Sequence, residues 1–280
     1  KISDVIFISF TNKTKNIPDN IISSGINATS QLNTIKKFIK SNKINKTIFL
    51  TPKVGYEIEI KDAIKKTKLN VFKHYIYDTE PTKLTAQIEK ITNYKIRKQN
   101  LADEIKRVET SDIDEEIKEK RIEKLNKRYT IGNVNFDSLI ISDFDESLKS
   151  VITSFLYTDV SPEDKYFITL NQWFDESLLN EFGSQNLYFP SVNKKNYDDF
   201  SKTFFKNFNL YPTKISFLSY DLVGLVYYLA KTNDSVLVNK IFDKQTVFKG
   251  KTGIFEIENK NIKHLLNFYK VENNKFKEIF

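Results

Sequence analysis

Cysteine and methionine are both missing from this 280-residue sequence. Without cysteine there is no disulfide, no thiol nucleophile and no thiolate-bound metal, which suits an exported protein that needs no bridge. Ordinary usage would supply about five methionines in a chain of this length, and nothing in the sequence accounts for their absence. Histidine is nearly absent too. His74 and His264 fall in separate predicted strands with no second ligand at metal spacing, so each reads as an ordinary sheet residue and no metal site is expected. The glycines form neither a P-loop nor a dinucleotide fingerprint, and no G-x-S-x-G elbow occurs. A serine or threonine nucleophile would lack a base, because neither histidine is placed to serve one. No catalytic residue and no cofactor is expected.

Arginine is scarce as well: only Arg97, Arg107, Arg121 and Arg128 stand beside forty lysines. The net charge of +8 invites a nucleic-acid reading, but the lysines are interleaved with acids, and arginine-based base readout is poorly supplied. Nucleic acid is therefore not the expected partner. No run approaches the ~20 apolar residues of a membrane span, so no transmembrane segment is predicted. There is no signal-peptide core, and any export signal or lipid-anchoring cysteine is expected upstream of Lys1. A 40% hydrophobic and 29% charged composition is that of a globular protein. The length allows one large domain or two lobes, each with its own core.

What is present alternates regularly. Val5 to Phe10 is a short apolar run, read as a buried parallel strand, and a polar loop with Pro18 follows. Ser30 is the predicted N-cap of a helix with Leu32, Ile35, Phe38 and Ile39 on one face. Thr47–Thr51 is a second strand, Tyr56–Thr67 a helix opened by Gly55, and Asn70–Tyr77 a third strand. This β-α-β-α-β rhythm predicts a parallel sheet with helices on both faces. Residues 82–129 then interrupt it with two charged helical segments, 82–108 and 112–128, the second capped by Asp112. Leu101, Ile105 and Val108 make one apolar seam, and Ile113, Ile117, Ile122 and Leu125 a thinner one, so a projecting helical hairpin is expected. Its bland reading is a solvated excursion, its sharp one an arm that docks a partner. Strands follow at 136–142, 166–170 and 187–190, with a helix over 147–157.

Near the C-terminus Tyr197, Phe200, Phe204 and Phe208 recur at helical spacing, with Phe204 expected in the core, until Tyr211 and Pro212 break the helix. Lys214 to Ala230 is apolar almost all round, which predicts a helix buried inside a domain. Phe248–Asn259 reads as a Gly-turned strand, with Gly250 and Gly253 at tight-turn positions, and 266–279 as a hairpin on Asn273-Asn274. This ordered set resembles the closing section of type I periplasmic binding proteins of the Leu/Ile/Val-receptor superfamily. Ile8-Ser-Phe-Thr-Asn12, Ser24-Gly-Ile-Asn-Ala-Thr-Ser-Gln-Leu32 and Lys46-Thr-Ile-Phe-Leu-Thr-Pro-Lys-Val-Gly-Tyr56 extend the resemblance over essentially the whole chain. Within the superfamily the sequence is most similar to the penicillin-binding-protein activators, outer-membrane lipoproteins that stimulate peptidoglycan synthases. It departs at its start: it opens at what would be the last strand of the first lobe, so the N-terminal units of that lobe, which supply much of the ligand-contacting surface, are expected to be missing.

The sharpest competing motif is Leu139-Ile-Ile-Ser-Asp-Phe-Asp-Glu-Ser-Leu148, an apolar strand ending in D-x-D. It resembles the haloacid-dehalogenase phosphatases, which would make Asp143 the nucleophile, Asp145 the acid and Thr169 the phosphate-binding hydroxyl, with magnesium. Glu146-Ser147 replaces the expected Gly-Thr, however, and no later strand ends in paired acids. The simpler expectation is that Asp145 caps the following helix. Asp221, alone among apolar neighbours, is expected to accept backbone N–H bonds and fix its helix. Thr11, Asn12, Tyr56 and Trp173 follow strand ends, where open α/β sheets place ligands, and are the candidate cleft wall.

The expected fold is α/β, two-lobed and type I periplasmic-binding-protein-like, with parallel sheets flanked by helices. Residues 1–12 and 191–245 are assigned to the first lobe, and 13–190 and 246–280 to the second, with the charged helical insertion at about 82–129. The resemblance implies a non-catalytic periplasmic module with a peptidoglycan synthase as partner, anchored to the outer membrane through a lipidated cysteine upstream. The alternative is a solute receptor of an ABC transporter for an amino-acid-like small molecule, and the phosphatase ranks third.

Overall fold

A computed structural model describes residues 5–232, 246–258 and 261–280. In chain order its first elements are β1 (Phe7–Ser9), β2 (Ile21–Ser23), α1 (Ala28–Ser41), β3 (Thr47–Pro52), α2 (Glu57–Thr67), β4 (Lys73–Tyr77) and α3 (Pro81–Ile91). Then come α4 (Tyr94–Glu109), α5 (Glu115–Asn126), β5 (Ser138–Ile141), α6 (Asp145–Tyr157), β6 (Tyr166–Thr169) and β7 (Leu187–Ser191). The chain closes with α7 (Lys194–Phe208), α8 (Lys214–Thr232), β8 (Thr246–Lys249), β9 (Ile254–Glu258), β10 (Asn261–Leu265), β11 (Asn267–Glu272) and β12 (Lys275–Glu278).

Among the described residues the strands form two mixed, mostly parallel sheets. The larger runs β12-β11-β7-β6-β5-β3-β4, parallel from β7 to β4 and antiparallel at the β11–β12 edge. Every residue of β3 and β5 is buried, as continuous apolar runs must be when helices cover both faces. The two-residue period divides them: Ile48, Leu50, Leu139 and Ile141 enter the core under α3 and α6, while Phe49 and Ile140 enter the one under α1 and α2. The hairpin predicted on Asn273-Asn274 joins β11 to β12, both asparagines having positive φ (51° and 56°), as a tight two-residue turn requires.

The smaller sheet runs β1-β2-β10-β9-β8. Its core is Ile22, Phe255, Ile257 and Ile262 against Leu222, Leu225 and Leu229 of α8. Sheet pairing departs here from the expected partition. Strands β2, β8, β9 and β10 lie with β1 instead of with the larger sheet, because β9 pairs antiparallel with β8 and β10, and β10 pairs parallel with β2. The expected boundary at residue 245 lies outside the described residues.

Other details differ. Helix α3 is part of the body, with Leu84 and Ile88 in the core, and the chain breaks at Asn93 (φ 52°), so only α4 and α5 form the charged hairpin. Asn27, not Ser30, caps α1, accepting from the Ser30 N–H, and Asp114, not Asp112, caps α5. Asp145 makes no cap bond; Phe144 holds that position, and Asp145 brings only its charge to the first turn of α6.

Helix α8 is buried on one side only. Phe217 and Leu218 join the core of the larger sheet and Leu222, Leu225 and Leu229 that of the smaller, while Val223 and Tyr227 stay exposed. Phe204, expected in the core, is half-buried, and no residue of α7 is fully buried. Asp221 sits between the two sets of leucines and accepts from the Lys251 N–H, the Thr252 N–H and the Thr252 hydroxyl, all at 2.6 Å. The carboxylate presses against the turn between β8 and β9 so closely that a Cβ on Gly250 would collide with it. Asp221→Ala strands the buried Thr252 amide and the part-buried Lys251 amide and should cost about 2–4 kcal/mol in denaturant unfolding. Leu225→Ala, which opens a cavity, should cost about 2–5 kcal/mol. A loss under about 1 kcal/mol in either would contradict these roles.

Burial pushes the pKa of both histidines below the usual value. His264, fully buried, shares a 3.0 Å bond with the carbonyl oxygen of Ser24, and His74 bonds the Thr51 hydroxyl and lies near Lys61. In the unfolded chain each titrates near the ordinary histidine value of about 6.5, so below that pH the unfolded state binds protons that the folded state refuses. Stability should therefore fall from pH 7.5 to about 5.5, and a His74→Gln/His264→Gln variant should show a flatter dependence. Parallel slopes for the two proteins would sink the assignment.

Candidate functional site

The carboxyl ends of β5 and β6 open onto a cavity of about 580 Å³ between the larger sheet, the β1 exit loop and the start of α8. Parallel sheets leave such a crevice where helices diverge from strand ends. Asn12 and Trp173 line it. Thr11 does not: its side chain accepts from the Lys13 N–H and its carbonyl from the Ser23 hydroxyl. Tyr56 is also outside, its hydroxyl donating to the Ser142 carbonyl at 2.5 Å, where burial and then the charges of Asp143 and Glu57 push its pKa up.

The residues that dominate the cavity were not singled out from sequence. Asn171 is buried (4% exposed), and its Oδ1 accepts from the Trp173 N–H at 2.9 Å and the Ser191 hydroxyl at 2.8 Å. The backbone N–H can only donate, so the amide orientation is determined and its Nδ2 is left without a partner. An unpaired buried N–H₂ costs about 1–3 kcal/mol, which a ligand acceptor would recover. Gln31 braces the site by accepting the Asn171 N–H, and Gln172 donates to the Asp143 carbonyl and the Thr169 hydroxyl. Around this polar floor stand Asp145, Asp175 and Lys214. Asp175 accepts from the N–H and hydroxyl of Ser177, whereas Lys214 makes no ion pair among the described residues. Asp145 and Trp173, both lining the cavity, adopt positive φ (50° and 51°), backbone conformations that L-residues seldom hold. The signal available in sequence was the polar pair Asn171-Gln172 directly after an apolar strand.

The D-x-D motif does not assemble a phosphatase. Asp143 is buried beneath the cavity, accepting from the Tyr77 hydroxyl and the Phe144 N–H. Burial raises its pKa against these two bonds, and burial also raises that of Tyr77. The Thr169 hydroxyl donates to the carbonyls of Ile141 and Asp143, so it faces the sheet. Among the described residues no cluster of His, Asp and Glu can hold a metal ion.

A second feature is the α4–α5 hairpin. Leu101 and Val108 are buried in its seam, Ile105, Ile113, Ile122 and Leu125 half-buried, and Ile117 exposed. The exposed pairs Lys120–Glu116 and Lys127–Glu123 run along α5. Arg97 fastens its root, donating to the carbonyls of Gly132, Thr158 and Asp159. Every guanidinium nitrogen is engaged, so this buried arginine is a fastening and not an anion receptor. Among the described residues no helix is long and apolar enough to cross a membrane.

No family model and no curated protein sequence matches the chain. Solved structures do. The chain is similar to a putative branched-chain amino acid ABC transporter protein from Rhodospirillum rubrum, at 9% identity and a TM-score of 0.65, over 97% of this chain and 72% of that one. It is similar to the leucine-binding protein LivK of Thermotoga maritima, at 11% identity and a TM-score of 0.59, over 99% and 73%. It is also similar to the C-domain of LpoA from Haemophilus influenzae, a regulator of PBP1A, at 11% identity and a TM-score of 0.57, over 99% and 74%. Against an extracellular ligand-binding receptor from Desulfohalobium retbaense the chain spans only 44% of that protein's length. Identities this low carry the architecture and no more: the chain has the type I periplasmic binding protein fold.

Proposed function

We propose that the chain is a non-catalytic, periplasmic binding module that holds a small amino-acid-like ligand in the cleft between its two sheets, which act as its two lobes. The unpartnered Nδ2 of Asn171 supports this reading most directly: a donor held in a set direction by Ser191 and Trp173, at the floor of a 580 Å³ polar cavity. Lys214 suits a ligand carboxylate and Asp145 a ligand ammonium, so both ends of a zwitterion find opposite charge. Neighbours named for amino acid transport and leucine binding carry the same fold. Calorimetric titration with the free amino acids should find at least one that binds, and at about 100 times its Kd that ligand should add about 2.7 kcal/mol of stability. Asn171→Leu, which keeps the volume and removes the donor, should weaken it by about tenfold or more. If no amino acid binds, or if Asn171→Leu binds as tightly as the parent, the cleft is not the ligand site.

One observation favours a second reading, that of a peptidoglycan-synthase activator: the charged α4–α5 hairpin is fastened to the body by Arg97. A receptor that only closes on a solute has no need of it, and its thin seam leaves charge as the means of contact. Replacing residues 101–127 by a short Gly/Ser linker should leave the body folded and abolish binding to a peptidoglycan synthase, with parent binding weakened by salt. Unchanged synthase binding by the folded deletion would reduce the hairpin to a solvated excursion.

A further inference from the structure

The cleft between the sheets is not balanced in charge. Asp145, Asp175 and Lys214 are the charged residues that line it, two carboxylates against one ammonium. None of the three has an ion-pair partner among the described residues. The carboxylates arrive from neighbouring strands: β5 and β6 pair in parallel, Asp145 opens α6 after the first, and Asp175 caps the 3-10 turn Glu176–Leu178 after the second. Lys214 comes from a separate element, as the first residue of α8. Asp175 is held in place, its two oxygens accepting from the N–H and the hydroxyl of Ser177, both at 2.9 Å. A carboxylate offers about four acceptor positions, so capacity remains for a ligand.

A simple zwitterion satisfies only part of this set. Its carboxylate takes Lys214 and the unpartnered Nδ2 of Asn171, a lining residue only 4% exposed, and its ammonium takes Asp145. Asp175 is then left without a counter-charge, which is costly once a ligand displaces water from the cleft. A diamine fails in the opposite way, because it sets two cations against Lys214 and offers the Asn171 donor no acceptor. The complete set matches one anionic and two cationic groups on the same molecule. Ile26, Trp173 and Leu218 share the cavity with these charges and suit an apolar stem between them. Lysine and arginine side chains lay their methylenes on such surface and carry a charged head beyond it. We propose, on the reading of this cleft as an amino-acid site, that it selects an amino acid with a cationic side chain, of the lysine or arginine kind, and that Asp175 receives the side-chain cation.

Each such ligand has twins that lack one charge. Norleucine lacks the side-chain ammonium of lysine, and citrulline has a neutral urea where arginine has its guanidinium. Cadaverine and agmatine lack the α-carboxylate. In calorimetric titration lysine or arginine should bind at least about tenfold more tightly than both of its twins, and more weakly as salt rises. Asp175→Asn keeps an oxygen for the Ser177 N–H, so the melting temperature should hold while the preference over the neutral twin shrinks about tenfold. Asp145→Asn removes the partner of the α-ammonium instead, and should weaken the cationic ligand and its neutral twin alike. Norleucine, citrulline or leucine binding as tightly as lysine and arginine would overturn the proposal and leave the amino-acid reading in place. So would a parent-like ratio in folded Asp175→Asn. Cadaverine or agmatine binding as tightly as its amino acid would assign the cleft to dications and overturn both. Binding by no amino acid would remove the amino-acid reading and the proposal with it.

Discussion

The carboxylate of Asp221 is the contact on which the rest of the molecule depends. Helix α8 serves two cores, with Phe217 and Leu218 under the larger sheet and Leu222, Leu225 and Leu229 under the smaller. Apolar packing alone lets a helix slide or rotate by small amounts, because dispersion and hydrophobic burial are non-directional. Asp221, at the changeover, supplies direction through its three short bonds to Lys251 and Thr252. It thereby ties the helix to the β8–β9 hairpin, and through β10 to β2 and the start of the chain. The register of α8 in turn places Lys214 and Leu218 at the cleft, so the geometry of the candidate site is inherited from this anchor.

Polar groups under the cleft divide into those that are spent and those that are free. Asp143, Thr169, Gln172 and Tyr56 all point at carbonyls, hydroxyls or amides of the sheet ends, and they hold the loops that follow the strands. Their saturation is what makes phosphoryl-transfer chemistry at Asp143 a poor fit, since a nucleophile needs an oxygen that can leave its partners. Asn171 is the exception, with one end of its amide clamped and the other open. A native fold seldom leaves a buried donor unpaired, and where it does the group is a place to look for a ligand.

The two protruding surfaces differ in physical kind. The α4–α5 hairpin carries interleaved lysine and glutamate over a thin apolar seam, so its contacts are long-ranged and salt-sensitive. The α7–α8 groove carries aromatic and aliphatic area that water wets poorly, with charge only at its rim.

Much of this could be read from the chain alone. The apolar stretches within 47–51 and 136–142 announced strands of a sheet covered by helices on both faces, the 3.6-residue spacing of Leu32, Ile35, Phe38 and Ile39 announced α1, and Asn273-Asn274 announced its hairpin. These are local signals, set by backbone sterics and side-chain period. Asp221 was legible too, since a lone carboxylate in an apolar helix must find donors. What tertiary structure decided was partnership. Strand β10, and with it β9 and β8, joins β2 because of pairing between segments over two hundred residues apart in sequence, which no local pattern encodes. Asn171 is a candidate ligand donor only because Ser191 and Trp173 take its oxygen and leave its buried nitrogen without a partner. The apolar circumference of α8 was plain in the sequence, but periodicity reports which residues shun water and not whether anything covers them; with covering elements on one side only, half the helix is core and half is a groove.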